Sequence, residues 1–170
     1  MDLPEVREDE IYLLTKRWVI GRDFQILGGQ PPNGTDSFPV IEIKSEKSIT
    51  KGSRTSFKPD LVVATADLLM IVECKPQFNG ADIAKLKEIS ESNGRLHALV
   101  NEIRQRRCLE RREHNLSELT DEELVQRTRF CVSYSGDHHP VSNIYSLVFN
   151  DSGSVSTLYL GHKVVDTITK

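Results

Sequence analysis

The chain lacks several features that would assign it to a class at once. No apolar run approaches the roughly 20 residues that a membrane span needs, so the reading excludes a membrane helix. Only three cysteines are present, Cys74, Cys108 and Cys131, an odd number with no CxxC spacing. A disulfide framework and a structural zinc site are therefore not expected, and a reducing compartment, the cytoplasm, is. No phosphate-cradling glycine loop, no Ser-His-Asp order and no zinc-finger spacing occurs. Repeats, low-complexity tracts and long linkers are absent too. The opening Met1-Asp2-Leu3-Pro4-Glu5 is acidic, unlike a secretory or transit leader. There is no basic excess either: net charge is −3, so contact with nucleic acid must come from a local patch.

What is present suits one soluble domain spanning residues 1–170, with 38% apolar and 28% charged residues. Residues Pro4 to Trp18 read as a helix, with acids near its start and Val6, Glu10, Leu13, Leu14 and Arg17 at helical spacing. That spacing predicts Glu10 on the inward stripe. A strand is predicted near Phe24 to Leu27, a loop from Gly28 to Gly34, and a half-exposed strand from Phe38 to Lys44. Ser45 to Ser56 reads as a basic loop holding Lys47, Lys51 and Arg54. Asp60 to Thr65 and Leu68 to Lys75 are apolar on both faces, which predicts two central strands. Helices are predicted over Asn79 to Ser92, Leu96 to Arg112 and Thr120 to Gln126, the last with a Thr120/Glu123 capping box. Strands follow over Arg129 to Ser135, Ile144 to Phe149 and Val155 to Leu160, with a turn at Asp151-Ser152-Gly153. The expected fold is α/β, a mixed sheet with helices against it.

The chemistry concentrates between Pro59 and Lys75. If Ala66-Asp67 is a two-residue turn, Asp60 stands opposite Glu73 and their side chains share a face, Cβ atoms about 5 Å apart. Strand alternation places Lys75 on that face as well. Two opposed carboxylates need a cation or a shared proton near neutral pH. Oxygen ligands favour Mg2+ or Mn2+. A lysine beside a metal-bound water can orient that water or help deprotonate it, which suits phosphodiester hydrolysis. Pro76 then ends the strand and leaves these groups near solvent.

Pro59-Asp60 followed by Glu73-Cys74-Lys75 resembles the PD-(D/E)XK nuclease superfamily, over about Pro4 to Leu86. The resemblance implies a restriction endonuclease-like mixed sheet flanked by helices. It also implies that Asp60, Glu73 and the Cys74 carbonyl bind Mg2+ while Lys75 acts on water. Many members add an acid from the first helix. Glu10 is the matching candidate, with Glu8 and Glu5 after it; pairing with Arg17 or a neighbouring cation is the alternative role for Glu10. The implied activity is that of a DNA endonuclease, in restriction, repair or a mobile element, with RNA a second substrate class. Double-strand cutting at this size calls for a homodimer or a partner subunit. A catalytically inactive module of the same fold, binding nucleic acid or a partner protein, is the other reading.

Candidate nucleic-acid contacts are Gln77, Lys51 and Arg54, together with Arg104, Arg107 and Arg111 on one predicted helical stripe. Glu102, Glu110 and Glu113 interleave with those arginines, so a solvated ion-pair face explains them equally well. Glu42-Ile43-Lys44 also spells ExK, but no Pro-Asp precedes it at hairpin distance, which favours a solvent face. Asp137-His138-His139-Pro140 reads as a polar turn rather than a metal site. Cys74 points away from its two neighbours, toward core packing.

Overall fold

The computed structural model describes residues 6–31, 41–42, 57–110 and 115–168. Helix α1 spans Glu8–Gly21, with Glu8, Asp9 and Glu10 in its first turn, where unpaired N–H groups favour acids. Its buried residues are Ile11, Tyr12, Thr15 and Val19. Thr15 is satisfied inside: its hydroxyl donates to the Ile11 carbonyl at 2.7 Å and lies 2.5 Å from Ser133 Oγ, which then donates to it.

Three strands follow in an antiparallel meander, β1 (Gln25–Gly28), β2 (Leu61–Ala64) and β3 (Leu69–Cys74). Helices α2 (Gly80–Glu91) and α3 (Asn93–Gln105), a 3-10 turn and α4 (Asp121–Gln126) then carry the chain over to β4 (Thr128–Ser135). β4 lies parallel to β3, and β5 (Tyr145–Phe149) parallel to β4. β6 (Ser156–Leu160) and β7 (Lys163–Val165) close the sheet antiparallel, so spatial order equals chain order across seven strands. The molecule is thus α/β with a mixed sheet.

Side-chain alternation splits the core in two. Leu61, Val63, Met70, Val72 and Cys74 pack with Ile11 and Val19 of α1. Val62, Ala64, Leu69 and Ile71 pack with Leu86, Leu99 and Leu124 of α2, α3 and α4. Every residue of β2 is buried, as are Leu69 to Val72 of β3. Truncating one, such as Ile71→Ala, costs about 2–5 kcal/mol. The hairpin is therefore a rigid base for whatever stands at its open end.

Some expectations shift. α3 starts earlier than predicted, because Ser92 Oγ accepts from the Arg95 N–H, and ends at Gln105, well short of Arg112. α2 begins after Asn79, whose Oδ1 accepts from the Ala81 and Asp82 N–H groups. A seventh strand, short and largely exposed, was not expected. The strand predicted over Phe38 to Lys44 lies outside the described residues except Ile41 and Glu42, neither of which is in a strand; Lys47, Lys51 and Arg54 lie outside them too. Among the described residues no helix is long and apolar enough to cross a membrane, and Cys74, Cys108 and Cys131 are buried and in no disulfide.

Candidate active site

The turn between β2 and β3 sets the geometry. Thr65 N–H donates to the Leu68 carbonyl at 2.9 Å, enclosing Ala66 and Asp67. The ladder runs Ala64↔Leu69, Val63↔Met70, Val62↔Ile71 and Leu61↔Val72. Continued one step, it sets Asp60 against Glu73. Two hydrogen bonds complete that step. Glu73 Oε1 accepts from the Asp60 N–H at 3.1 Å, and Asp60 Oδ2 accepts from the Cys74 N–H at 2.7 Å. One oxygen of each carboxylate is thereby pinned, and the other is left for a further partner.

A neighbouring strand holds this corner in place. β1 shifts register between Ile26 and Gly28, and Gly29 follows with φ +148. A Cβ on Gly29 would stand 2.2 Å from the Asp60 carbonyl oxygen, so only glycine permits the approach. Gln30 N–H then donates to the Pro59 carbonyl at 3.1 Å.

Burial raises both acids. Asp60 is pushed up to about 7, first by desolvation; the Cys74 N–H works against this, Glu8 adds to it, and Lys75 opposes it. Glu73 is pushed up to about 8, first by desolvation and then by Asp60, with the Asp60 N–H and Lys75 opposing. Two carboxylates in this state favour a proton or a cation between them.

Lys75 stands one step past β3, its N–H donating to the Ser133 carbonyl at 2.9 Å. Its Nζ lies 3.5 Å from Asp82 Oδ2 and 3.6 Å from Glu8 Oε1. Burial acts to lower its pKa, but Asp82, Glu8, Glu73 and Asp60 outweigh that and hold it above the usual lysine value. Lys75 is therefore an ammonium.

The helix acid at this site is Glu8, not Glu10. Glu10 is exposed and accepts from Arg7 Nε at 3.0 Å. The inward stripe of α1 runs through Ile11, Tyr12, Thr15 and Val19, and its first two members stand three and four residues beyond Glu8. The buried Thr15 disguised that stripe, while Leu13, half exposed at 51%, suggested another. Asp82 was missed altogether. Its signal was an acid in the first turn of the helix that starts directly after the Glu73-Cys74-Lys75 strand.

Gln77 is exposed, two residues beyond Lys75. The arginine stripe does not form. α3 stops at Gln105 and Arg107 sits at φ +59, outside the helix and paired with Glu110 at 3.0 Å. Arg104 is 2.6 Å from Asp121 Oδ1 and donates to the Leu119 carbonyl, so it fastens α3 to the start of α4. α4 leads to Thr128 beside Leu69, whereas Lys75 lies where β3 ends. Arg111 and Arg112 lie outside the described residues.

Fit to a metal can be judged from the donors. Among the described residues no three His, Cys, Asp or Glu side chains converge enough to cage an ion alone. Mg2+ does not need such a cage, since it keeps several waters and takes one or two carboxylates. Within a strand, the N–H and C=O of one residue point the same way. The Cys74 N–H points at Asp60, so its carbonyl faces the same side, while its thiol is buried against α1. Two carboxylate oxygens and one carbonyl are the donor set for a hard cation.

No protein-family model, no curated protein sequence and no solved structure matches the chain.

Proposed function

We propose that the chain is a Mg2+- or Mn2+-dependent nuclease of the PD-(D/E)XK superfamily, with a restriction endonuclease-like fold, cutting DNA phosphodiester bonds as an endonuclease. One observation carries the reading: Asp60 and Glu73 meet at a buried strand end with one oxygen each left open, beside an ammonium. The order of a helix, an antiparallel meander, helices and a parallel fourth strand agrees with the core of that superfamily. A cytoplasmic setting suits the three free thiols.

Asp60, Glu73 and the Cys74 carbonyl would hold the ion. When bound, it would offset charge on the phosphate and lower the pKa of a water. Lys75 has a raised pKa, so it donates rather than accepts: it orients the attacking water and steadies charge on the phosphate. Glu8 and Asp82, both within 3.6 Å of the Lys75 Nζ, are the nearby acceptors for the proton of that water. Double-strand cutting would use a second copy or a partner subunit.

The test is incubation with plasmid, single-stranded DNA and RNA in Mg2+, Mn2+ or EDTA. Metal-dependent cutting that is lost in Asp60→Ala and Lys75→Ala supports the reading. Cutting of RNA alone would change the substrate class. Nucleic-acid or protein binding without cutting by the unaltered chain would mark an inactive module of the same fold.

A further inference from the structure

Among the described residues, the arginines that the sequence offered for a phosphate backbone have other partners. Arg104, Arg106 and Arg107 are each paired with a carboxylate at 2.6–3.0 Å. The surface beside Lys75 offers flat rings instead. Ser135, the last residue of β4, donates from both its N–H and its Oγ to the Pro76 carbonyl, at 3.2 and 2.7 Å. The loop that follows is thereby tied to the turn after Lys75.

Two stacked ring pairs stand on this loop. His139 lies on Phe78 with centroids 4.3 Å apart and planes 16° from parallel. Phe78 meets Tyr134 edge-on at 5.7 Å, and the Tyr134 hydroxyl accepts from the His139 N–H at 3.0 Å. Alongside, His138 lies on Tyr159 at 3.6 Å and 9°. His139 is exposed although one of its faces is covered, so the other faces solvent. Tyr159 packs at the margin of the core on the same side of the sheet as Asp60 and Glu73. It lies three strands from β3, about 14 Å at ordinary strand spacing.

A cleft of about 270 Å³ opens beside the second pair, lined by Gly136, His138, Phe149, Asn150 and Tyr159. His138 Nε2 is buried and has no hydrogen-bond partner. Burial holds the His138 ring below its usual pKa, so it stacks as a neutral ring with no charge to desolvate.

We propose that Phe78, His139, His138 and Tyr159 form a shelf on which unpaired bases of a nucleic-acid strand stack as it enters the Asp60–Glu73 site. The inference rests on the nuclease reading and narrows its substrate to single-stranded or locally opened nucleic acid. Bases inside a duplex have both faces covered and cannot use such a shelf. Unpaired bases can, whatever their identity, because each has a π face.

The test uses the full chain carrying Asp60→Ala, so that nothing is cut, and a fluorescently labelled single strand and duplex of equal length. Binding is read by anisotropy in EDTA. The single strand binds more tightly. His139→Ala and Tyr159→Leu each weaken it about 5- to 100-fold. His139→Phe and Tyr159→Phe, which keep a ring, restore it. Equal affinity for both forms, or ring-deleted variants that bind as before, overturns the shelf. Cutting by the unaltered chain in Mg2+ is scored separately. Cutting without ring dependence removes the shelf and leaves the nuclease. Ring-dependent binding without any cutting keeps the shelf and removes the nuclease.

Discussion

Asp60 and Glu73 share a buried strand end with, among the described residues, no cation bonded to either, whereas Arg104, Arg106 and Arg107 each lie within 3.0 Å of a carboxylate. Both regions are rich in charge, and by sequence the arginine run is the more conspicuous. The difference lies in what the fold leaves undone. At the end of α3 these three arginines each have a counter-charge, and such exposed pairs contribute little. At the end of β3 two acids are packed together and desolvated, which a structural role does not require and which a functional site uses.

The largest way to break the contrast is to remove a member of the acid pair. Asp60→Ala should lower metal-dependent cutting about a thousand-fold, measured as initial nicking rate, with the sheet still folded by circular dichroism. Loss of that size from Arg104→Ala instead would reverse the two regions.

Next in size is the glycine that lets β1 reach the acid pair. Gly29→Ala should cost about 2–4 kcal/mol in urea unfolding, because the new methyl meets the Asp60 carbonyl in a backbone conformation that alanine avoids. Gly80, with nothing within 4 Å, is the control. Gly80→Ala should be neutral or stabilising by up to about 1 kcal/mol.

The pH dependence sharpens the comparison further. Both acids bind protons more tightly folded than unfolded, since their folded pKa values are raised to about 7 and about 8. Stability of the metal-free protein is then unpenalised below the unfolded carboxylate range near 4 and falls as pH rises toward 8. Tm in EDTA should drop by roughly 5 °C or more between pH 5 and pH 8.5, and Mg2+ at pH 8.5 should restore it. Asp60→Asn should flatten the curve. A Tm that stays level would mean the pair is not strained.

Smaller still are two surface tests. Glu8→Gln should reduce cutting while Glu10→Gln leaves it unchanged, which separates the helix acid at Lys75 from the one paired with Arg7. Arg107→Ala should alter stability by no more than about 0.5 kcal/mol and leave nucleic-acid affinity as it was.

How much of this was legible depended on whether neighbours in sequence decide the geometry. The hairpin was legible because apolar runs on both sides of Ala66-Asp67 allow one register, and that register brings Asp60 to Glu73. The capping box of α4 was legible for the same reason. The helix face was not. Thr15 is buried with its second hydrogen-bond partner supplied by Ser133, 118 residues away. Nor was the end of α3: the arginines continue a good helical pattern, yet the chain turns at Arg107 with φ +59. Asp82 reaches Lys75 because α2 starts soon after the strand, and the acid in that first turn was its one local sign.

The acid pair is thirteen residues apart on one hairpin, while β4, which completes the bed of Lys75, arrives only after the α2–α4 excursion. Short loops close in microseconds and long ones later. During refolding the two carboxylates therefore meet together with the N–H groups and the lysine that moderate them, before the elements that bury them are in place. Because burial is the main cause of the raised pKa values, the later step that buries the hairpin should be faster at pH 5.5 than at pH 8.5 in stopped-flow traces, and divalent ions should reduce that difference. On the proposed function, an ion held by this pair would also act as a template for the packing that buries it.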